Sequence, residues 1–302
     1  MEESMSVRTG FIGIGAMGSP MALNILKAGI PLVVHDVDEN KTIEHEKAGA
    51  EVLYSPMEVA NASDRTICLV ETTRQVEEVI CGERGIIHGA KPGHIVICMS
   101  TIDPTVAKRI ASDLLLQEIL MLDAPVSGGT ARAQAADLTV IAGGEKKVFD
   151  QCKDIFEAIG KDAFYIGDHG QGLVMKLINN MLGITNTITL IEGLTIGAKS
   201  GIGLQTMLDV FRKSSGASAA VELRVPRIMD GDFKPGGTVD IVYKDQELIT
   251  NYAKQLGVPT LMANVSQQVY QMARTAGLNK EDSSAVVKIY ENLADVRVVG
   301  RK

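Results

Sequence analysis

The sequence contains no tryptophan, only six phenylalanines and six tyrosines, and only four cysteines among 302 residues. No two cysteines have the C-x-x-C spacing, and none has a histidine at the distance along the chain that is typical of metal ligands. We therefore expect neither a disulfide framework nor a metal site. The protein is interpreted as reduced and cytoplasmic.

Basic clusters and an apolar leader are also absent. Lysine and arginine number 30 against 37 aspartates and glutamates, a net charge of −7. A protein that binds a phosphate backbone needs a concentrated basic patch, so nucleic acid is not an expected partner. The first ten residues, MEESMSVRTG, have no apolar segment, and no signal peptide is expected. Residues 173–198 are the most apolar long stretch, but Lys176, Asn179, Asn180 and Glu192 within it argue against a membrane span.

The first 168 residues alternate β-prone runs with amphipathic segments. The predicted strands are Arg8–Ile14, Leu32–His35, Glu51–Tyr54, Thr66–Val70, His94–Met99, Ile119–Leu122 and Leu138–Ile141. The predicted helices are Met17–Lys27, Arg74–Cys81, Pro104–Leu116 and Lys146–Ile159. Such alternation is typical of a parallel sheet covered by helices on both faces. The fold class predicted for 1–168 is α/β, a doubly wound Rossmann domain.

From residue 169 onward, helical periodicity dominates. The stretch of about 170–199 has no proline and predicts one long helix that joins the two domains. Further helices are predicted at Leu204–Arg212, Ala217–Arg224, Tyr243–Leu256, Thr260–Ala276 and Ser283–Ala294. The second domain, 169–302, is therefore predicted to be all-helical.

A glycine-rich motif lies between the first predicted strand and helix. Gly13, Gly15 and Gly18 form a G-x-G-x-x-G sequence in the first β–α turn, the context that a dinucleotide-binding loop requires. The first two glycines permit a tight turn and a close approach to a pyrophosphate, and the third lets helix and strand pack. The expected cofactor contacts in this loop are Gly13, Ile14, Gly15, Ala16, Met17 and Gly18.

An acidic residue follows the second predicted strand. Asp36 lies 18 residues beyond Gly18, where a carboxylate accepts hydrogen bonds from the adenosine ribose and repels a 2′-phosphate. Because no arginine is nearby in the sequence, the predicted cofactor is NAD rather than NADP. The alternative is that Asp36 only caps the following helix.

Two segments carry candidate chemistry. Ser127, Gly128 and Gly129 follow a strand and offer a hydroxyl and backbone amides that suit a carboxylate; an ordinary β–α turn is the alternative. Lys176 and Asn180 are four residues apart on the long helix and share a face. Lys176 has apolar neighbours, which suggests a general acid or base; a lysine that extends along an apolar surface to solvent is the alternative.

The sequence resembles the β-hydroxyacid dehydrogenases, which include 3-hydroxyisobutyrate dehydrogenase, tartronate semialdehyde reductase and 2-(hydroxymethyl)glutarate dehydrogenase. The resemblance is carried by Asp123–Gly129 (DAPVSGG) and Gly170–Asn180 (GQGLVMKLINN) and covers most of the chain. It implies that Lys176 is the catalytic acid or base and that Asn180 and Ser127–Gly129 bind the substrate. It also implies substrate binding and oligomerisation by 169–302, as a homodimer or homotetramer.

Further cofactor contacts are implied by the resemblance alone. Thr101 would lie near the nicotinamide, and Lys244 would contact the cofactor from the helical domain. Val70 and Glu71 are also expected to contact the cofactor, at a place where the family usually has Leu-Pro. Arg132 could meet a second anionic group of the substrate, although a surface position is the preferred interpretation.

The predicted function is therefore an NAD-dependent oxidoreductase that interconverts a 3-hydroxy acid and its semialdehyde. Candidate substrates are of the 3-hydroxyisobutyrate, 2-(hydroxymethyl)glutarate or 2-hydroxy-3-oxopropionate type. A reductase of succinic semialdehyde, sulfolactaldehyde or a threonate-type acid is an alternative, as is a dinucleotide-binding sensor without turnover. A decarboxylase of the 6-phosphogluconate type would need a longer helical domain. An imine reductase is disfavoured by the presence of Lys176.

Overall fold

The computed structural model describes residues 7–300, and the chain divides into two compact units, Met1–Lys176 and Leu177–Lys302. The first unit contains a nine-stranded sheet in the order β3-β2-β1-β4-β5-β6-β8-β7, with β9 paired to β8. The strands are β1 (Thr9–Ile12), β2 (Leu32–His35), β3 (Glu51–Val52), β4 (Arg65–Cys68), β5 (Ile95–Cys98), β6 (Leu120–Asp123), β7 (Val126–Ser127), β8 (Leu138–Gly144) and β9 (Gly160–Gly167).

The first six strands run parallel, which confirms the predicted doubly wound α/β fold. β8 is antiparallel to both β6 and β7, and β9 is parallel to β8. The helices of this unit are α1 (Gly18–Lys27), α2 (Ile43–Lys47), α3 (Pro56–Asn61), α4 (Thr73–Cys81), α5 (Pro104–Leu115), α6 (Gly129–Gln134), α7 (Lys146–Gln151) and α8 (Lys153–Ile159). Two 3-10 turns, Glu39–Thr42 and Ile86–His88, complete it.

The core of this unit lies on both faces of the sheet. Successive strand residues belong to different apolar clusters: Phe11 and Ile67 pack in one, whereas their neighbours Ile12 and Cys68 pack in the other. All four side chains are at most 2% exposed. Because side chains alternate across a strand, the sheet is buried from both sides, as expected for parallel strands between helices.

In the first unit, some elements differ from the predicted ones. β7 has two residues and is too short to give a periodic pattern, and β9 was missed because its side chains are exposed on both faces. The predicted helix Lys146–Ile159 is two helices, because Cys152 leaves helical geometry at φ −105° and ψ 6°. The sequence pattern does not predict the short helices α2 and α3 either.

In the second unit, the described residues 177–300 form helices joined by loops and contain no β-strand. One isolated antiparallel β-bridge joins Thr238 and Asp282. A long helix, α9 (Gln171–Lys199), has the predicted bounds and leads into this unit; the other helices are α10 (Leu204–Arg212), α11 (Ala219–Asp230), α12 (Val239–Gln255), α13 (Leu261–Thr275) and α14 (Val287–Ala294). Residues Ser283–Val286 form a 3-10 turn rather than the predicted start of α14. The boundary predicted at 168/169 remains a prediction.

Two helices of this unit begin or end away from the predicted positions. α11 starts two residues late, where the Ser218 side chain accepts a hydrogen bond from the Val221 amide, and it continues through Pro226 to Asp230. α12 starts at Val239 rather than Tyr243, because the Thr238 side chain caps it. Ser and Thr at these positions satisfy helix amides that would otherwise lack partners.

Helix α9 is the one helix in the described part of the chain that is long and apolar enough to cross a membrane, judged by length and composition. Of its most apolar 18-residue window, 44% is buried within the protein. The core helix of a water-soluble protein passes the same test. The expectation that it does not span a membrane remains a prediction.

Candidate active site

The loop between β1 and α1 depends on its three glycines in different ways. Gly13 has φ +99°, and a Cβ atom there would lie 2.1 Å from the carbonyl oxygen of Leu69. A Cβ atom on Gly18 would lie 2.0 Å from the carbonyl oxygen of Gly13, so α1 packs directly against the loop. At Gly15 a Cβ atom would meet no heavy atom within 4 Å. The fold therefore needs the first and third glycines, whereas the second leaves space beside the backbone.

This loop fits the pyrophosphate of a dinucleotide. Met17 precedes α1, and no side chain caps the helix. The first amides of a helix carry a partial positive charge and are the usual binding point of a phosphate group. The open backbone at Gly15 allows such a group to approach closely.

Asp36 directly follows β2, and its carboxylate is hydrogen-bonded to the glycine loop. Its Oδ2 atom accepts a hydrogen bond of 2.8 Å from the Ile14 amide, and its Oδ1 atom accepts one of 2.9 Å from the Asp38 amide. The side chain is only 7% exposed. The carboxylate therefore joins the ends of β1 and β2, and it is not the cap of the following 3-10 turn, which is Asp38.

A cation that the sequence reasoning missed lies beside Asp36. The Nζ atom of Lys41 is 3.4 Å from Asp36 Oδ1, and its side chain is half exposed. The sequence could have indicated this ion pair, because Lys41 follows Asp36 by only five residues. The Asp36 carboxylate is consequently paired with a lysine rather than isolated.

The carboxyl ends of β1, β2, β4 and β5 bring most of the predicted cofactor residues to one edge of the sheet. These four strands are neighbours, and their last residues are aligned in register. The Val70 amide donates a 2.8 Å hydrogen bond to Ser100 Oγ, which joins the segments that follow β4 and β5. Thr101 comes next along the chain. The Glu71 amide donates to Gln75 Oε1 at 3.1 Å, in the capped start of α4.

The Ser127–Gly129 segment forms a sharp turn between β7 and α6. Ser127 is paired with Thr139 of β8, and the next two residues have positive φ values, +143° at Gly128 and +72° at Gly129. A Cβ atom on Gly128 would lie 2.9 Å from both the Arg132 and the Leu138 side chains. The backbone path of this turn therefore depends on glycine.

Arg132 of α6 forms an ion pair with Asp137. Its Nε atom lies 3.2 Å from Asp137 Oδ2, and its Nη2 atom is 3.5 Å from Thr139 Oγ1. The side chain is 41% exposed. This arrangement agrees with the preferred interpretation of Arg132 as a surface residue.

Lys176 is buried at 8% exposure on α9, about one and a half turns from the start of the helix. The start of this helix is held by Asp123, the first residue of the DAPVSGG segment, for which the sequence predicts no role. Asp123 is 1% exposed, and its two oxygens accept hydrogen bonds from the amides of Gly170 (2.7 Å) and Leu173 (2.9 Å). Burial raises the pKa of the Asp123 carboxyl, and these hydrogen bonds oppose the rise.

In the second unit, Asp245 of α12 links two predicted site residues. Its Oδ2 atom accepts a 2.8 Å hydrogen bond from Asn180 Nδ2, and its Oδ1 atom lies 3.0 Å from Lys244 Nζ. Asp245 is 7% exposed. The sequence predicts no role for Asp245, although it directly follows Lys244. Asp245 orients the amide of Asn180.

Family models match both parts of the chain. The model described as the NAD-binding domain of 6-phosphogluconate dehydrogenase matches residues 8–167. The model described as NAD-binding of NADP-dependent 3-hydroxyisobutyrate dehydrogenase matches residues 170–290. The first match alone covers more than half of the sequence.

Relatives are similar over nearly their whole length. The 2-(hydroxymethyl)glutarate dehydrogenase of Eubacterium barkeri is 36% identical over 296 residues, which cover 98% of each chain. The L-threonate dehydrogenase of Cupriavidus necator is 34% identical and covers 96% of this chain and 98% of its own. The mitochondrial 3-hydroxyisobutyrate dehydrogenase of Rattus norvegicus is 34% identical and covers 94% and 87%.

Solved structures agree. The 3-hydroxyisobutyrate dehydrogenase of Salmonella typhimurium has a TM-score of 0.85 at 34% identity, with 94% of this chain and 99% of that chain covered. The Mycobacterium tuberculosis enzyme of the same name, in a structure with L-serine, has a TM-score of 0.86 at 27% identity and the same coverage. The family expected from the sequence is confirmed: the chain belongs to the 3-hydroxyisobutyrate dehydrogenase family of NAD-binding oxidoreductases.

Proposed function

We propose that this protein oxidises the primary alcohol of a 3-hydroxy acid to the semialdehyde, and catalyses the reverse reduction, with Lys176 as the general base and acid. The observation that carries the proposal is the burial of a lysine at 8% exposure on a helix that starts beside the dinucleotide-binding sheet. Lysine is seldom buried in proteins, so its burial at this place in the fold makes Lys176 a candidate acid or base.

The residues divide the work of the reaction. When bound, NAD supplies the carbon that accepts the hydride from the alcohol. In the oxidation, neutral Lys176 takes the hydroxyl proton at Nζ as the C–H bond breaks, which leaves the C=O of the semialdehyde. In the reduction, the ammonium of Lys176 returns this proton to the carbonyl oxygen.

Substrate binding is assigned to Ser127, Gly128, Gly129 and Asn180. The hydroxyl and backbone amides of the turn suit the carboxylate of a hydroxy acid. Asn180 would hold the substrate through an amide whose orientation Asp245 fixes at 2.8 Å. The relatives named above support a small hydroxy acid as the substrate.

Cofactor binding is assigned to the glycine loop, Asp36, Val70, Glu71, Thr101 and Lys244. The buried carboxylate of Asp36 supports NAD over NADP, because it would repel a 2′-phosphate. The ammonium of Lys41, 3.4 Å from Asp36 Oδ1, offsets part of this repulsion.

The substrate that we favour is of the 2-(hydroxymethyl)glutarate type. The support is the 36% identity with the Eubacterium barkeri enzyme over 98% of both chains. A 3-hydroxyisobutyrate-type acid is the second candidate, supported by a relative at 34% identity. A threonate-type acid is the alternative supported by another relative at 34% identity; its 3-hydroxyl is secondary, so that oxidation there would give a ketone instead of a semialdehyde. A dinucleotide-binding sensor without turnover is the alternative of another class.

The proposal includes the organisation of the chain. Residues 1–168 would bind the dinucleotide, and 169–302 would bind substrate and form a homodimer or homotetramer in the cytoplasm. The family-model matches at 8–167 and 170–290 support the division. Exposed apolar side chains on the helical unit, among them Leu182, Ile196, Leu261 and Met262, support self-association. Light scattering on the purified protein tests the assembly.

The decisive experiment is an NADH absorbance assay with 2-(hydroxymethyl)glutarate, 3-hydroxyisobutyrate, L-threonate and glycerate, each with NAD and with NADP. We expect turnover of one acid with NAD. Lys176→Ala should lower kcat by about 10²- to 10⁴-fold and leave NADH affinity unchanged. Lys199→Ala, a change at an exposed lysine of the same helix, is the matched control. Normal turnover by Lys176→Ala would refute the mechanism, and NADH binding without turnover of any acid would favour the sensor.

A further inference from the structure

The start of α9 has no cap of its own. The carbonyl oxygen of Gly170 accepts the first helical hydrogen bond, from the Val174 amide, so that Gly170 is the N-cap residue of the helix. Glycine has no side chain that could accept hydrogen bonds from the first-turn amides, which Ser, Thr, Asp or Asn would provide at this position. The helix that carries Lys176 therefore depends on another group to fix its first turn.

That group is the carboxylate of Asp123, which lies 47 residues earlier in the chain. It accepts hydrogen bonds from the Gly170 amide at 2.7 Å and from the Leu173 amide at 2.9 Å. These are the N-cap and N3 amides, and a negative charge at this end of a helix is also favoured by the helix dipole. Because Asp123 is the last residue of β6, its carboxylate attaches the first turn of the helix to the central sheet.

Close backbone packing reinforces the same attachment. A Cβ atom on Gly172 would lie 2.5 Å from the carbonyl oxygen of Ile141 and 2.7 Å from that of Asp123. A Cβ atom on Gly143 of β8 would lie 3.0 Å from Asp123 Oδ1. The first turn of α9 thus rests on β6 and β8 with no side chain between them, and a shift of the helix would break the two carboxylate hydrogen bonds.

We propose that Asp123 is a positioning residue for the reaction: by capping α9 from the end of β6, it sets the position of Lys176 Nζ. This inference rests on the proposed function of Lys176. Leu173, whose amide Asp123 holds, lies three residues before Lys176, or about 4.5 Å along the helix axis. Asp123 is also the first residue of the DAPVSGG segment, whose last three residues are the proposed carboxylate site. A single buried carboxylate thereby links the base to the substrate loop.

The test is Asp123→Asn, which keeps the shape of the side chain but replaces one acceptor oxygen with an NH2 group that cannot accept. One of the two helix amides then loses its partner, while the cost of burying a charge disappears, so folding is retained. We expect kcat to fall by about 10- to 100-fold, the effect of a displacement of about 1 Å. The KM for NAD and the melting temperature should stay near those of the parent.

Two further measurements separate positioning from a structural or an independent role. In a Lys176→Ala background, Asp123→Asn should cause no further loss of the residual turnover, because the residue acts through the lysine. Amide hydrogen exchange, followed by mass spectrometry on a peptide that covers 168–177, should be faster in Asp123→Asn than in the parent. Asp154→Ala is the matched control: it removes the carboxylate that pairs with buried Arg65 elsewhere in the unit, and should lower the melting temperature but not kcat.

An Asp123→Asn variant with the kcat of an active parent would overturn the inference, as would an equal loss in the Lys176→Ala background. A parent that turns over no hydroxy acid would instead contradict the proposed function, and with it the kinetic role of Asp123. The exchange measurement distinguishes the two cases, because it reports the attachment of α9 without turnover.

Discussion

Two neighbouring glycines of the β1–α1 loop predict opposite effects of the same substitution. In Gly18→Ala the new methyl group would lie 2.0 Å from the carbonyl oxygen of Gly13 and 3.1 Å from the ring of Phe11. Since the closest atom belongs to the backbone, helix α1 has to move. Overpacking of this kind costs about 1–3 kcal/mol. For a protein of this size, this corresponds to a decrease of roughly 2–12 °C in melting temperature.

Gly15→Ala meets no heavy atom within 4 Å, and its φ is not positive. The folded state accepts the methyl group, and the unfolded state loses entropy, which stabilises the protein by about 0.4–1 kcal/mol. The methyl group occupies the space needed by the pyrophosphate, so NADH affinity should fall. A clash of about 1–3 kcal/mol in the complex weakens binding roughly 5- to 150-fold.

Thermal unfolding followed by circular dichroism and NADH fluorescence titration measure these two quantities. We expect Gly15→Ala to melt at or above the parent temperature with weaker NADH binding, and Gly18→Ala to melt lower. Unchanged NADH affinity in Gly15→Ala would show that the pyrophosphate does not approach this glycine. A parental melting temperature in Gly18→Ala would refute the packing argument.

Two further predictions concern charged groups. Asp36→Asn should lower the NAD/NADP preference roughly tenfold, because it removes the repulsion of a 2′-phosphate and releases Lys41 to pair with it; steady-state kinetics with both cofactors checks this, and Asp36→Asn/Lys41→Ala should reverse part of the gain. In the second unit, burial alone would raise the pKa of Asp282, but hydrogen bonds from Ser284 and the charges of Arg224 and Arg227 hold it below its ordinary value. The stability from this group is therefore present above the unfolded pKa of about 3.9 and is lost as pH falls through the lower folded pKa. Asp282→Asn should lower the free energy of unfolding by about 3 kcal/mol at neutral pH and by less below pH 4. Denaturant unfolding at both pH values measures this, and a loss that is the same at both would contradict the prediction.

The sequence was informative where one short segment contains the whole signal. The glycine loop and the start and end of α9 could be predicted, because glycine spacing and the absence of proline are local properties. Residues that act through distant partners could not be predicted. Asp123 bonds to amides 47 and 50 residues away, and Asp245 bonds to Asn180 across 65 residues. No spacing rule connects such positions in a single sequence.

Strand β9 shows a different reason for failure. Its residues are exposed on both faces, so that neither the alternation of a half-buried strand nor the continuous apolar run of a central one is present. In the sheet it pairs with β8, and its Tyr165 ring packs against Phe149 of α7. For such a strand, tertiary pairing decides the structure, and composition gives little indication of it.

The same strand has a consequence for colloidal behaviour. In the described chain β9 pairs only with β8, so its outer edge presents a row of backbone donors and acceptors beside the exposed Phe164, Tyr165 and Ile166. An apolar edge of this length is a template for strand addition and aggregation. The charges of Lys161 and Asp162 at one end of the strand oppose this growth, since a further strand would have to bury them. The two side chains contribute to keeping a concentrated solution of the folded protein from aggregating, a property that depends on no residue of the proposed active site.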